Sequence, residues 1–239
     1  MRKQILTVEK DLKKGRIVER LNRFILRVEF DSGSEKIHLA NPGALSTVIA
    51  PDREVLCEPA NGQNRKTKYN AFAIETDNIY VTVKSTFANR IFSRILKKKL
   101  LKRFRKYSSI SREPPFPTEG RADFLLENEN DGSRGYAEIK SCTHVEKGIA
   151  KFPDRPTKRG RRHLKTLTKL RKESFDNHLV FVVQRSDAKK FQPFREVDPK
   201  FADLLSQAKE NKVKIHAFTT RFEPPDLYLD KEDLPIDLI

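Results

Sequence analysis

The 239-residue sequence contains no Trp, one Met and two Cys, and its hydrophobic runs are short. Cys57 and Cys142 each lack a second Cys nearby, which excludes a thiolate zinc site and a disulfide framework but leaves a single bridge between them open. The run at residues 179–183 is far too short to span a bilayer, and residues 1–15 lack the apolar core of a signal peptide. The sequence therefore predicts a cytoplasmic protein without membrane contact.

Acidic residues are too few to balance the basic ones. There are 49 Lys and Arg against 33 Asp and Glu, which gives a formal net charge of +16. Residues 90–106 hold nine basic residues and no acid, and residues 151–172 hold ten against Asp154 alone. A generally basic, solvated surface is the alternative, but clustering of this kind favours a binding face for a polyanion, and nucleic acid is the expected partner.

The first third of the chain shows the alternation of short β-strands between turn residues. The predicted strands are residues 24–30, 37–39, 54–58, 69–76 and 79–83. Short strands at this density predict a small OB-type β-barrel over residues 1–84, and such barrels commonly bind nucleic acid.

After residue 86 the apolar residues recur at spacings of three and four, which predicts an amphipathic helix over residues 88–106 with a basic outer face. Two further helices are predicted at residues 157–172 and at 199–211, the latter capped by Asp198. Strands are predicted near residues 108–112, 122–126, 136–140, 179–183 and 213–218. This order predicts a mixed α/β (α+β) second domain over residues 85–239.

Asp123 and the triplet Glu138-Ile139-Lys140 form the candidate catalytic centre. Side chains alternate along a strand, so Glu138 and Lys140 point the same way while Ile139 packs into the core. If strands 122–126 and 136–140 form a hairpin, Asp123 lies beside Glu138. The two carboxylates, with the backbone carbonyl of Ile139, would then bind one hard cation, Mg²⁺ or Mn²⁺.

These residue types fit metal-dependent hydrolysis of a phosphodiester. A bound cation activates water and polarises the phosphate, while Lys140 would orient the water or neutralise developing charge. Glu113 could add a further carboxylate. An acid followed two residues later by Lys occurs at five places in the chain, so the strand-turn-strand setting carries the prediction rather than the triplet alone.

Basic residues crowd the start of the helix predicted after the catalytic strand. Arg159, Arg161, Arg162 and His163 lie there, where free backbone N–H groups also attract phosphate. We expect all four to contact nucleic acid, and we do not assign His163 as a metal ligand. Arg90, on the basic helix, is a further predicted contact.

Eight motifs in order make the chain resemble the sugar fermentation stimulation protein (SfsA) family over nearly its full length. They are Arg20-Leu21-Asn22-Arg23-Phe24; Asn41-Pro42-Gly43-Ala44-Leu45; Arg65-Lys66 with Tyr69; Ala88-Asn89-Arg90; Tyr107-Ser108-Ser109; Arg121-Ala122-Asp123-Phe124; Glu138-Ile139-Lys140-Ser141; and Phe152-Pro153-Asp154 through Arg159-Gly160 and His163-Leu164. The resemblance implies an N-terminal OB-type barrel, a C-terminal restriction-endonuclease-like (PD-(D/E)xK) nuclease domain, DNA binding, and a metal site at Asp123, Glu138 and Lys140, with Glu113 added. Its barrel motifs contribute Arg23, Arg65 and Lys66 to the predicted nucleic acid contacts.

Two functions remain open at this stage. The first is a divalent-metal-dependent nuclease, with DNA favoured over RNA as its substrate. The second is a non-cleaving DNA-binding or regulatory protein linked to sugar metabolism, which needs only the basic surfaces. A sugar-binding enzyme has little support, because the chain has no Trp and five Tyr to build aromatic platforms. The sequence also leaves the oligomeric state open, a homodimer included.

Overall fold

A computed structural model of the chain describes residues 2–8, 11–60 and 65–238. The first part of the chain forms strands β1 (Lys3–Thr7), β2 (Lys13–Asn22), β3 (Ile25–Phe30), β4 (Gly33–His38), β5 (Glu54–Pro59), β6 (Tyr69–Thr76) and β7 (Ile79–Thr82). The rest forms α1 (Phe87–Lys97), β8 (Ser109–Arg112), β9 (Phe124–Glu127), β10 (Arg134–Cys142), β11 (His144–Glu146), β12 (Ile149–Phe152), α2 (Lys158–Lys172), β13 (His178–Val183), β14 (Lys190–Pro193), α3 (Pro199–Glu210), β15 (Lys214–Glu223) and β16 (Asp226–Leu229). The mixed α/β class predicted from the sequence is confirmed.

The predicted barrel is a closed ring of five strands. β4, β3, β2, β5 and β6 pair in that order, and a parallel contact between His38 of β4 and Asn70 of β6 closes the ring. Alternate apolar side chains of these strands, among them Leu26, Val28 and Ile37, are fully buried inside it. Burial of this inner face gives the barrel a hydrophobic core of its own.

The C-terminal part is a sheet with helices on both faces. Its centre is parallel, in the order β10, β13 and β15, and β9 and β8 continue it as antiparallel strands. α1 packs on one face together with Ala137 and Ile139 of β10. α2 and α3 pack on the other face. The residues of β10 therefore alternate between two separate cores.

Strand pairing connects the first part of the chain to the C-terminal sheet. β7 pairs with β15 through Tyr80 and Phe222, and β1 pairs with β16. Ile5 and Leu6 of β1 belong to the core beneath α1 rather than to the core of the barrel. The division into residues 1–84 and 85–239 stays a prediction. β1 belongs to the first of these segments but pairs with a strand of the second.

The helix is shorter than the predicted range of residues 88–106, since α1 begins at Phe87 and ends at Lys97. Lys99 adopts a left-handed conformation, with φ 51. The backbone N–H groups of Lys99 and Leu100 bond back to the carbonyls of Leu96 and Ile95, both at 3.0 Å. This is a Schellman termination with Lys in the position that usually holds Gly. Apolar residues still recur at helical spacing after the end of α1, which explains the longer prediction. A single 3-10 turn at Lys102–Phe104 places Phe104 in the core.

The other two predicted helices are present as α2 and α3. The Asp198 side chain caps α3 by accepting a hydrogen bond from the N–H of Phe201 at 3.0 Å, as expected. Cys57 and Cys142 are both buried and free, so the bridge that the sequence left open is not formed. Over the described residues, no helix combines the length and apolar character needed to cross a membrane.

Candidate active site

The two predicted catalytic carboxylates lie together because β9 and β10 form a hairpin with Ala137 opposite Phe124. This register places Asp123, just before β9, next to the middle of β10. Oδ2 of Asp123 accepts a hydrogen bond from the backbone N–H of Ile139 at 2.8 Å. Oδ1 accepts one from the side-chain amide of Asn89 at 2.8 Å. The carboxylate is thus fixed between α1 and β10.

Glu138 is completely buried, with 0 % of its surface exposed. Its Oε2 accepts a hydrogen bond from Nζ of Lys140 at 3.1 Å and also contacts Nδ1 of His163. Its Oε1 is buried and has no hydrogen-bond partner within the described parts of the chain. Within the described residues, one carboxylate oxygen of Glu138 therefore lacks a partner, while the other is held by Lys140 and His163.

Burial and electrostatics act differently on the two acids. Burial, together with the neighbouring Glu138, raises the pKa of Asp123 above its ordinary value. Burial also works to raise the pKa of Glu138, but Lys140 and His163 together outweigh it and the pKa is lowered. The site therefore favours the ionised form of Glu138 and disfavours the ionised form of Asp123. A cation bound between the two carboxylates would favour ionisation of both.

A cavity of about 460 Å³ between the barrel and the C-terminal sheet opens onto Asp123, Ile139 and Lys140, and Glu138 lies behind this lining. Its walls come from both parts of the chain: Arg23, Asn41, Pro42, Gly43, Ser85, Thr86, Asn89, Glu113, Asp123, Ile139, Lys140, Ser141, Phe152, Pro153, Asp154, Arg155, Pro156, Thr157 and Arg159. We call this space the active-site cavity. The barrel is therefore part of the wall of the site.

Residues 41–45, which we call the rim loop, form the barrel side of this wall. The Arg20 guanidinium donates a hydrogen bond to the carbonyl of Gly43 at 2.9 Å. The Asp154 carboxylate accepts one from the N–H of Leu45 at 3.0 Å. A Cβ on Gly43 would lie 2.5 Å from Oδ2 of Asp154, so only glycine fits there without a shift. Sequence reasoning missed Asp154, although its motif and that of the rim loop were both noted.

The predicted nucleic acid contacts do not all meet at the cavity. Arg23, from the barrel, and Arg159, from α2, line it. Arg161 and Arg162 instead face a second groove of about 640 Å³ between α2 and α3. We call this the outer groove, and it is formed by Lys158, Arg161, Arg162, Lys165, Lys200, Asp203 and Leu204.

The remaining predicted contacts lie elsewhere on the surface. Arg90 is exposed on α1, with its guanidinium 5.9 Å from the ring centre of Phe87. Arg65 is exposed before β6 and donates a hydrogen bond to the side chain of Asn70 at 3.0 Å. Lys66 beside it is also exposed. None of the three lines the active-site cavity.

Glu113 lines the cavity but does not join the carboxylate pair. Its side chain is exposed, and its backbone N–H bonds to the carbonyl of Asp123 at 3.0 Å. In residues 2–8, 11–60 and 65–238, no group of three or more His, Cys, Asp or Glu side chains is arranged to hold a metal ion. The site thus offers two carboxylates rather than three.

His163 has a different position from the one expected of a phosphate contact. It is 3 % exposed, its Nε2 accepts a hydrogen bond from Nε of Arg159 at 3.4 Å, and its Nδ1 contacts Glu138. With Nε2 accepting, Nδ1 carries the proton and donates to the carboxylate. Both ring nitrogens are occupied, so His163 holds Glu138 in place instead of facing solvent.

Comparison with known proteins agrees with this architecture. Residues 86–226 match the family model described as the sugar fermentation stimulation protein RE domain, and residues 18–83 match the SfsA N-terminal OB domain. The chain belongs to the sugar fermentation stimulation protein family. The family and the fold predicted from the motifs, an OB-type barrel followed by a restriction-endonuclease-like domain, are confirmed.

Relatives and one solved structure match over most of their length. A sugar fermentation stimulation protein homolog of Clostridium kluyveri is 34 % identical over 209 residues, covering 87 % of this chain and 90 % of that protein. One from Methanothermobacter thermautotrophicus is 35 % identical over 206 residues, covering 86 % of this chain and 85 % of that protein. The structure of Pyrococcus furiosus SfsA in complex with Ca²⁺ is 29 % identical with a TM-score of 0.89, covering 98 % of this chain and 99 % of that chain.

Proposed function

We propose that this SfsA-family protein is a divalent-metal-dependent nuclease that hydrolyses phosphodiester bonds, with DNA favoured over RNA. The observation that carries the proposal is the Oε1 atom of Glu138, which is buried without a partner in the described chain, beside the carboxylate of Asp123. A buried carboxylate oxygen left unpaired destabilises the fold. A cation shared with Asp123 would supply the missing partner.

The residues present suit a hard cation. One oxygen each from Asp123 and Glu138, with the backbone carbonyl of Ile139, would hold Mg²⁺ or Mn²⁺, and both ions accept water and phosphate oxygens as further ligands. The Ca²⁺ in the similar Pyrococcus furiosus structure supports a cation that prefers oxygen ligands. When bound, such an ion lowers the pKa of a coordinated water and polarises the phosphate.

Lys140 and His163 would support the chemistry from either side of Glu138. The Lys140 side chain is 12 % exposed and lines the cavity, so its ammonium can orient the attacking water or neutralise charge on the phosphate. His163 keeps Glu138 oriented through Nδ1. Arg159 in turn bonds to Nε2 of His163, which links a basic residue of the cavity wall to the orientation of Glu138.

The basic surfaces support nucleic acid as the substrate. Arg23 and Arg159 would contact phosphates at the cavity, and the outer groove adds five basic residues against Asp203, which pairs with Arg195 at 2.6 Å. Phosphate contacts of this kind make binding weaker as salt is added. The logarithm of the binding constant falls linearly with the logarithm of the salt concentration, with a slope of about −0.9 per phosphate neutralised on duplex DNA.

The test is cleavage of labelled single- and double-stranded DNA and RNA with Mg²⁺, Mn²⁺ or chelator. Wild type and the control variant Glu196→Gln, which changes an exposed carboxylate outside the cavity, should cut only with metal. Glu138→Gln should cut at least about 100-fold more slowly, with binding retained. Tight, salt-dependent binding by the wild type with no cleavage under any metal would reject the nuclease and favour the non-cleaving, regulatory function.

A further inference from the structure

Phe24 is an exposed aromatic ring in the turn between β2 and β3. It is 43 % exposed, and among the described residues the other large hydrophobic side chain with comparable exposure is Val18, at 41 %. The turn itself is held by a hydrogen bond from the N–H of Phe24 to the side chain of Asn22 at 2.9 Å. Phe24 contributes only its backbone N–H to this bond, so the turn does not require an aromatic side chain at this position.

The position of Phe24 distinguishes it from an isolated apolar residue on the surface. The guanidinium carbon of Arg23 lies 5.4 Å from the centre of its ring. Arg23 also lines the active-site cavity and donates a hydrogen bond from Nε to the carbonyl of Pro42 at 3.0 Å. The aromatic ring is therefore one side chain away from the cavity, next to a fixed cation.

The cavity beside this ring is small, and the groups proposed to react are buried or nearly so. Its volume of about 460 Å³ is that of a pocket for one small ligand. Glu138, which bonds to Lys140, is fully buried, and the side chain of Lys140, which lines the cavity, is 12 % exposed. An unpaired nucleotide can bend into a small pocket at less cost than a paired one, because a duplex has to give up pairing and stacking first.

The rim is also held in place by contacts from both parts of the chain. Arg20 donates hydrogen bonds to the carbonyls of Gly43 and Arg23, both at 2.9 Å, and Asp154 bonds to the N–H of Leu45 at 3.0 Å. These bonds fix the backbone that carries Arg23 and Phe24. The backbone at this side of the entrance is therefore tied to Arg20 and Asp154.

We propose that the site takes a single strand or an unpaired strand end, with one base stacked on Phe24 and the adjoining phosphate held by Arg23 and Arg159. Cleavage of that strand rests on the proposed nuclease function, but its binding does not. An aromatic ring beside guanidinium groups is the combination that binds single strands with little sequence preference, because every base has a face that can stack.

Binding is measured by fluorescence anisotropy with chelator present, so that no strand is cut. The probes are a labelled single-stranded DNA and a blunt duplex of the same length at the same salt concentration. Phe24→Ala should weaken single-strand binding by about 5- to 150-fold and leave duplex binding unchanged. Phe24→Tyr should retain the affinity, and Val18→Ala, the matched loss of an exposed apolar side chain, should change neither.

The proposal is overturned if Phe24→Ala binds both probes as the wild type does, or if it loses affinity for both equally. It is also overturned if sedimentation shows a dimer that Phe24→Ala dissociates, because the ring would then face a second copy of the chain. A protein that loses single-strand binding in Phe24→Ala but never cuts would retain this site and refute the nuclease. If the protein cuts duplex and single strand equally well, and Phe24→Ala does so too, the nuclease function is retained and the single-strand site at Phe24 is refuted.

Discussion

The charge on Asp123 should destabilise the protein until a metal binds. Its two hydrogen bonds come from neutral donors, Asn89 and the backbone of Ile139, and its near neighbour Glu138 is another acid. Burial and Glu138 raise the pKa of Asp123, which means that the folded state disfavours its ionised form. The variant Asp123→Asn removes this charge and keeps the size of the side chain.

The hydrogen bonds of Asp123 can survive this substitution. The new amide oxygen can accept from the N–H of Ile139, and the new amide nitrogen can donate to Asn89 once the Asn89 amide turns over. Removal of an unfavourable active-site charge then leaves a net gain, and we expect the free energy of unfolding in chelator to rise by roughly 0.5–2 kcal/mol. Wild type should gain about 2.7 kcal/mol at a metal concentration of 100 times Kd, and the variant should gain almost nothing.

Urea denaturation followed by circular dichroism, with chelator or with saturating Ca²⁺ or Mn²⁺, measures both effects. The order of stability should reverse: the variant is more stable without metal and the wild type is more stable with it. Asp31→Asn, an exposed acid of the barrel, should follow the wild type in both conditions. A variant that is less stable than wild type in chelator, or that is still stabilised by metal, would refute the assignment of Asp123 as a strained metal ligand.

Two further outcomes follow from buried groups outside the carboxylate pair. Burial lowers the pKa of His178 well below its ordinary value and that of His216 to about 3, so both stay neutral in the folded protein when the unfolded chain binds protons. The free energy of unfolding should therefore fall below about pH 6.5, by about 1.4 kcal/mol per pH unit for each histidine; His216→Gln should lessen the slope, and a flat profile in urea titrations would contradict this. Gly43→Ala would place a methyl group 2.5 Å from Oδ2 of Asp154 and break its bond to Leu45. We expect a loss of about 1–3 kcal/mol and weaker single-strand binding, and an unchanged Tm with unchanged binding would contradict it.

Local periodicity predicted most of the fold because most elements have one buried face. β5, β6 and β7 begin and end within a residue or two of the predicted strands, and α2 and α3 match the helices expected from their caps. Six of the described strands were not predicted: β1, β2, β11, β12, β14 and β16. β2 belongs to the barrel ring, and β1 pairs with β16. Their pairing joins Lys3 to Leu229, and no local pattern in a short strand reveals a partner so far along the chain.

The sequence also predicted which residues of the hairpin meet, but not what surrounds them. The spacing of Glu138 and Lys140 on one strand, with Asp123 on the strand before it, was enough to place those three side chains together. The contact of His163 with Glu138 depends on how α2 crosses the sheet, which the sequence of the helix alone does not specify. The basic residues beside His163 pointed instead to a phosphate contact.

The largest difference lies in the barrel, which the sequence predicted as a separate nucleic acid platform. Asn41 donates a hydrogen bond to the carbonyl of Val83 at 2.8 Å, and Asp154 binds the N–H of Leu45, so the rim loop is tied both to the end of the first part of the chain and to the segment before α2. The barrel cannot turn away from the active-site cavity without breaking these bonds. The rim loop of the barrel and Asp123 of the C-terminal part therefore line one cavity, and the two parts of the chain form a single candidate site rather than two separate ones.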